Sequence, residues 1–399
     1  FFDDLKLRVS AGQTGGQGVS AYATRSRFVV SNYGMGGSLQ SGMAESRWGG
    51  PAAALLKWET TNQFDIGLDI AFLNNRVNLT VDAYYKKTKD LLLDKLIPMS
   101  SGFSRIQANY GNVTNKGLEI SGHFIPVKAR NFLWSIDANI SFNRNKVGGL
   151  DADQYSDVAW GIENMFLVRN GEPIGTLYGY VEDGFYDNEA EVRADPLYRN
   201  ETDSKVKSMV GEVKYKNLDD DPVIDNRDRQ IIGNTNPDYQ YGITNTLEWK
   251  NWTFSFFLQG TQGNDVLNVN LKKFDMASVD NMPYFIYNNR WTAENRANAK
   301  WPRANRTSTR SMKASDRYIE DGSYLRCKNV SLSYRFRHPM KFVESINLVA
   351  SVSNLFTISG YSWMDPDVNS FGSDPKRRGV DMASYPSART FNFGVQIGF

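Results

Sequence analysis

Arg389–Phe399 reads R-T-F-N-F-G-V-Q-I-G-F, and this stretch points to the fold class. Phe391, Phe393, Val395, Ile397 and Phe399 alternate without a break with Asn392, Gly394, Gln396 and Gly398. Successive strand side chains point to opposite faces, so one face is wholly apolar and the other small or polar. The chain stops on the aromatic residue, with no polar tail. In water such an apolar edge invites aggregation. A transmembrane barrel removes the difficulty, because lipid covers the apolar face and closure pairs the edge. An edge strand of a secreted sandwich is the competing reading.

The 399 residues suffice for two ordinary domains or one large barrel. A net charge of +2 points to neither nucleic acid nor an acidic partner. Mean hydropathy is -0.48, and the apolar run Ala52 to Leu56 is far too short for a membrane helix. A barrel passes that test, since only every second strand residue meets lipid. Aromatics reach 13%, which suits strands and interfacial girdles. A single cysteine, Cys327, leaves the redox compartment open. No signal peptide opens the sequence, so the chain is expected to begin inside a larger protein.

Outward from the C-terminal stretch the same alternation recurs nine times. Its apolar members start at Leu5, Phe64, Val77, Leu118, Trp134, Tyr239, Trp252, Val330 and Ile346. Lys328 predicts a bulge or the lipid boundary in the eighth strand. The apolar faces are free of charge through the middle of most strands, where a Lys or Arg would cost roughly 2–4 kcal/mol. Strand lengths of about nine to eleven residues fit a membrane span, not a soluble sheet. Connections alternate between long and short. Asn74-Asn75, Val127 to Arg130, Lys250-Asn251 and Arg337 to Ser345 are the predicted short turns, all on one side. Gly12 to Gly50, Lys146 to Pro237 and Gly263 to Gly322 are the predicted long segments. Phe72, Trp134, Trp249, Trp252, Phe336 and Phe399 fall near the short-turn side, as an interfacial girdle would. These features predict an all-β chain, a transmembrane antiparallel β-barrel.

L-K-L-R-V-S-A-G-Q-T-G-G-Q-G at Leu5, K-W-E-T-T-N-Q-F-D-I-G-L-D at Lys57 and Y-G-N-V-T-N-K-G-L-E-I at Tyr110 carry a family resemblance. So do I-G-N-T-N-P-D-Y-Q-Y-G-I at Ile232, D-R-Y-I-E-D-G-S-Y-L-R at Asp316, S-N-L-F-T at Ser353 and Y-P-S-A-R-T-F-N-F-G-V-Q at Tyr385. In this order they resemble the SusC-like TonB-dependent transporters (the SusC/RagA family). The resemblance implies that residues 1–399 are the C-terminal part of a 22-stranded barrel, with the plug and N-terminal strands outside this chain. It also implies a Gram-negative outer-membrane location among lipids, import of glycans or peptides powered by TonB, and a SusD-like surface lipoprotein as lid. Dimers of such two-protein units belong to the same expectation. A C-terminal strand ending in Phe399 resembles the signal read by the barrel-assembly machinery. A passive porin or structural barrel is the alternative.

Asn217, Asp219, Asp221, Val223, Asp225 and Asp228 occupy positions 1, 3, 5, 7, 9 and 12 of an EF-hand-like loop, a pattern that can gather oxygen ligands around Ca²⁺. Pro222 stands where the turn prefers Gly, and Asp228 is shorter than the usual Glu, so a solvated acidic loop is the other reading. Trp48, Trp160, Trp291, Trp301 and Trp363 lie in long connections, where they can stack on sugar rings or side chains of a substrate, or pack the loops together. Asp65, Asp69, Asp82, Asp137 and Asn139 are predicted to face a polar lumen. His123 and His338 have no partner pattern, and no G-x-S-x-G, H-E-x-x-H or Cys-His constellation occurs, so no catalytic residue and no enzyme are expected.

Overall fold

The computed structural model describes residues 2–16, 18, 24–25, 28–45, 51, 53, 55–103, 105–158, 162–219, 221–274, 281–305, 313–340 and 342–399. Ten strands form one antiparallel sheet in which each pairs with the next long strand along the chain. They are β1 (Phe2–Gly16), β2 (Glu59–Phe72), β3 (Val77–Lys89), β4 (Asn112–Ala129) and β5 (Phe132–Gly148). Then come β6 (Tyr239–Trp249), β7 (Trp252–Gln262), β8 (Tyr324–Met340), β9 (Val343–Ser359) and β10 (Thr390–Gly398). The sheet runs from β1 to β10, and these two strands do not pair with each other. Among the described residues no helix is long and apolar enough to cross a membrane.

Register sorts the side chains as the alternation requires. Leu7 lies opposite Leu68 and Val9 opposite Ile66, while Arg8 lies opposite Gly67 and Ser10 opposite Asp65. The apolar members stay open: Leu7 is 65% exposed, Val9 64% and Phe393 83%. A water-soluble sheet would bury that face against a second layer. Here it lies bare along the sheet, as it must if lipid is its solvent.

Of the short turns, the first is as expected and two differ in detail from the sequence expectation. Asn74 and Asn75 both take φ of 57°, the left-handed conformation Asn tolerates. The strand around Pro126 does not end there. β4 continues to Ala129 opposite Phe132, and the register slips between Phe124 and Val127, a bulge that spares Pro126 a ladder donor. β8 and β9 likewise extend past Arg337 and Ser345 to pair Met340 with Val343. The bulge expected at Lys328 is present, between Cys327 and Asn329. On the opposite side β1 does not stop at Gly12, since Gly16 still pairs with Glu59. The strands run from 9 to 18 residues, so several continue past the length a bilayer needs.

The long-loop side carries a second layer. Segments 149–238, 263–323 and 360–389 share one apolar core in which Ile162, Phe166, Leu177, Leu267, Ile286 and Val380 are fully buried. Strand Asp265–Asn268 ties two of these segments together, pairing with Ile319–Asp321 on one edge and Val380–Asp381 on the other. Smaller hairpins, Phe28–Met35 with Ser38–Glu45 and Leu92–Leu96 with Arg105–Asn109, belong to the connections from β1 to β2 and from β3 to β4.

Candidate functional site

The polar face of β1 to β5 is the first candidate site. Arg8 donates through Nε to Asp69 at 2.8 Å and through Nη2 at 3.0 Å, and its Nη2 lies 2.8 Å from Asp82 on β3. To reach a strand two places away, the guanidinium must cross β2 at Gly67. A Cβ there would stand 2.7 Å from Arg8 Cζ and 2.2 Å from Asp82 Oδ1, so only glycine leaves room. The same device recurs at Gly117 on β4. There the Tyr84 hydroxyl crosses to donate to Asn143 on β5 at 2.9 Å, and a Cβ would meet that hydroxyl at 2.5 Å. Arg8, Asp65, Asp82, Tyr84, Glu119 and Asn143 contribute to an open concavity of about 630 Å³. Asp65 accepts from Ser10 at 3.1 Å, and Asp137 lies 2.6 Å from His123 Nδ1. The carboxylates predicted to face the lumen do share this face, but Asp69 and Asp82 are held by a cation. Arg8 was missed as a site residue. Its signal was a cation midway along a polar face, opposite a glycine.

The second candidate is the seat of segment 360–389 on β8. Arg326 is 1% exposed. Its Nη2 pairs with Asp365, its Nη1 donates to Ser387 at 3.1 Å, and its Nε donates to Thr357 at 3.0 Å. Burial pushes the Asp365 carboxyl up. The N–H groups of Ser387 and Asp367, the Ser387 hydroxyl and Arg326 outweigh that push and hold it below the ordinary carboxylate range. Deeper in the segment Tyr361 donates to Asp381 at 2.7 Å, and burial, with that carboxylate, pushes the phenol up. Across the layer Glu182 accepts from Arg317 at 2.6 and 2.5 Å, while burial pushes its carboxyl up against the pull of the guanidinium. Nothing in sequence spacing joins Arg326 to Asp365.

The acidic loop is organised around a cation of its own. Arg227 lies 3.1 Å from Asp219 and 3.0 Å from Asp225, and also pairs with Asp221. Its guanidinium holds the Asp225 carboxyl below the usual range. Asp228 is buried and caps the turn, accepting from the N–H groups of Leu218 and Asp225 at 2.8 Å each. Asn217 donates to the Asp221 carbonyl at 2.5 Å, leaving its own oxygen without a hydrogen bond. These carboxylates are therefore committed, and no group of three His, Cys, Asp or Glu suited to a metal occurs among the described residues. The arrangement does not fit Ca²⁺ unless Arg227 withdraws.

The tryptophans separate. Trp48 and Trp160 lie outside the described residues. Trp291 is buried and donates to Asp187 at 3.1 Å. Trp301 is buried in the shared core, with the Arg317 guanidinium 5.4 Å from its ring centroid. Both pack the loops. Trp363 is half-buried beside Phe274, with ring centroids 5.8 Å apart. Phe399 follows β10 directly and is 88% exposed.

A family model described as TonB dependent receptor-like, beta-barrel, matches residues 1–355. TonB-dependent receptor P26 of Formosa agariphila is 34% identical over 408 residues, which cover 100% of this chain and 40% of that protein. TonB-dependent receptor SusC of Bacteroides thetaiotaomicron is 29% identical over 410 residues, covering 99% of this chain and 38% of that protein. A solved structure of the RagAB peptide transporter aligns with 100% of this chain and 41% of its own, with a TM-score of 0.76 at 20% identity, a likeness of fold. The chain thus spans about two fifths of the length of the curated relatives it matches.

Proposed function

The chain belongs to the TonB dependent receptor-like β-barrel family, and from that premise we propose that it is the C-terminal wall of an outer-membrane importer of the SusC type. In this reading the protein moves oligomeric nutrients, glycans or peptides, inward at the expense of TonB. A SusD-like surface lipoprotein closes over the long-loop side, which is extracellular, and the short turns are periplasmic.

The observation that carries the reading is the folded layer over the sheet. A passive pore needs loops only to join strands. Here three segments bury a common core on top of a sheet whose own apolar face is bare. Such a layer is a rigid platform, suited to seating a lid and gripping a large solute. Trp363 is the loop tryptophan we assign to solute contact. The polar face with Arg8, Asp69 and Asp82 lines the path beneath it.

The test uses the full-length gene in its own host. Intact cells are offered labelled oligosaccharide and peptide mixtures, with and without a protonophore. Energy-dependent uptake lost on deletion of the gene supports the importer. Uptake that persists unchanged with the protonophore would assign the protein to passive diffusion. Purification in mild detergent is expected to recover a second polypeptide, the lid.

A further inference from the structure

Strand register gathers lysines on the lipid-facing side of the sheet, just past its apolar band on the long-loop side. On β2 that band is Phe64, Ile66, Leu68, Ile70 and Phe72, a run of about nine residues that matches a tilted membrane strand. Its last row passes from Phe64 to Tyr85, Lys116 and Arg144 on successive strands. Residues directly opposite one another share a face, and Phe64 and Tyr85 are 60% and 48% exposed there. One row further out Lys87 lies opposite Thr114, and Thr114 opposite Lys146. Lys87, Lys116 and Lys146 therefore surround Thr114 on the face that carries Tyr85. Lys89, two residues beyond Lys87, extends the patch.

The inner face at this level is closed. Thr88 pairs with Thr61 there through their hydroxyls at 2.9 Å, and Val113 and Val147 are buried with Leu150 and Val168 of the loop layer. The lysines thus stand on the side away from any solute path. Among the described residues Lys87, Lys89, Lys116 and Lys146 make no ion pair, while Arg144 is taken by Asp238 at 2.6 Å. Lys116 faces Arg144 directly, and like charges in that relation are destabilising unless an anion is shared between them. The polar face shows the contrary pattern, since Arg8 there meets both Asp69 and Asp82. Tyr85 in the lysine row, and Phe142 with Tyr239 beside it at a ring-centroid distance of 5.9 Å, mark headgroup depth. Lysine stems can follow an apolar surface at that depth while their ammonium groups stay wet.

We propose that Lys87, Lys116 and Lys146, with Thr114 between them, bind the phosphate-bearing headgroup of an anionic lipid in the leaflet on the long-loop side. The proposal rests on the membrane-barrel part of the function above, and not on what the barrel transports. Lys87 and Lys146 start two strand spacings apart, about 10 Å, a gap that two lysine stems close around one phosphate. The Thr114 hydroxyl adds a neutral donor in the middle. Charge complementarity selects the occupant, because a zwitterionic headgroup brings its own cation to a site that already holds three. Attraction of this kind is worth roughly fivefold in binding per cation near an anionic surface, and salt weakens it.

The experiment uses the full-length protein in nanodiscs of phosphatidylcholine with a minor share of phosphatidic acid. Wild type is compared with Lys87→Gln/Lys116→Gln/Lys146→Gln and with Lys205→Gln/Lys207→Gln/Lys216→Gln in the loop layer. Native mass spectrometry of protein released from the discs counts the phosphatidic acid that stays bound. Wild type and the loop-layer triple should be enriched in it, and the sheet triple should lose at least about tenfold, with a smaller gap at high salt. Heat-modifiable gel mobility checks that each variant is folded. If the sheet triple does not fold, Lys116→Gln alone is read instead, with a loss of about fivefold expected and unchanged retention overturning the proposal. Equal retention by all three proteins, or no enrichment in wild type, would overturn it as well. Inorganic phosphate that displaces the lipid completely at equal concentration would assign the lysines to a free anion instead. Enrichment that depends on the lysines, together with uptake indifferent to a protonophore, would sink the importer and leave this site standing.

Discussion

Leu7 and Leu267 are the same residue in two solvents. Leu7 stands on β1 at 65% exposure, while Leu267 is fully buried among the segments over the strands. In the sheet, apolar side chains point away from the protein, and polar ones face inward with partners such as Arg8, Asp69 and Asp82. In the loop layer the order is reversed, with aliphatic and aromatic groups inside and ion pairs fastening the edges. The sheet is stable because lipid accepts its apolar face. The layer is stable because water rejects its own. One chain therefore holds two folding problems of opposite sign, and substitutions should separate them.

The largest effect is expected at the end of β10. If the terminal ring is read during assembly, Phe399→Ala in the full-length gene should lower surface abundance several-fold, with Val395→Ala much milder. Burial alone would give Phe399 about 1.5–3 kcal/mol or less, a change in heat resistance and not in abundance. Equal surface abundance for wild type and both variants would leave Phe399 an ordinary girdle residue.

Next comes the pin between the two regions. Arg326→Met leaves Asp365 buried without its cation, and breaking such a pair costs about 3–5 kcal/mol. Segment 360–389 should become open to limited proteolysis while the strands keep their protection. Because Asp365 is held below the ordinary carboxylate range, its contribution is fully present above about pH 4. It is lost as pH falls through the lowered value. Wild-type digestion patterns should therefore match at pH 7 and pH 5. A segment that loosened in wild type by pH 5 would contradict the assignment.

Leu267→Ala removes a buried side chain and should cost the layer about 2–5 kcal/mol. Leu7→Ala should cost less, since lipid tails stand in for the missing packing. Hydrogen exchange resolved by segment would show this, and equal losses at the two sites would erase the distinction between the regions. The smallest change is expected at Arg227→Ala. It frees Asp219, Asp221 and Asp225 on an exposed loop and should barely move the melting temperature. Calcium titration of that variant by calorimetry tests whether the guanidinium holds the place of a metal. Heat of binding in Arg227→Ala but not in wild type would say that it does.

Much of the sheet was legible along the chain. Trp249 and Trp252 flank the Lys250-Asn251 turn as expected, and the Lys328 bulge lies where a charge interrupted an apolar face. The ends of strands were less legible. A bulge let β4 run past Pro126, and β1 ran on through its glycines, because pairing with a neighbour outweighs local preference. The site was harder still. Asp69 and Asp82 could be assigned to a face, but their cation could not, since its reach depends on which strand lies beside which and on the gap at Gly67.

By itself the sequence determined the strand period, the solvent each face demands and the side on which the large connections gather. All three follow from nearest neighbours along the chain, because a strand's faces alternate residue by residue. Only the tertiary structure decided that Leu177, Leu267 and Val380 meet in one core, that Trp291 and Trp301 are packing residues, and that Arg326 pins Asp365. Those contacts join residues tens to hundreds of positions apart. No period encodes them, and they arise because the sheet brings the ends of β5 to β10 side by side and water leaves the segments above them only each other to bury against.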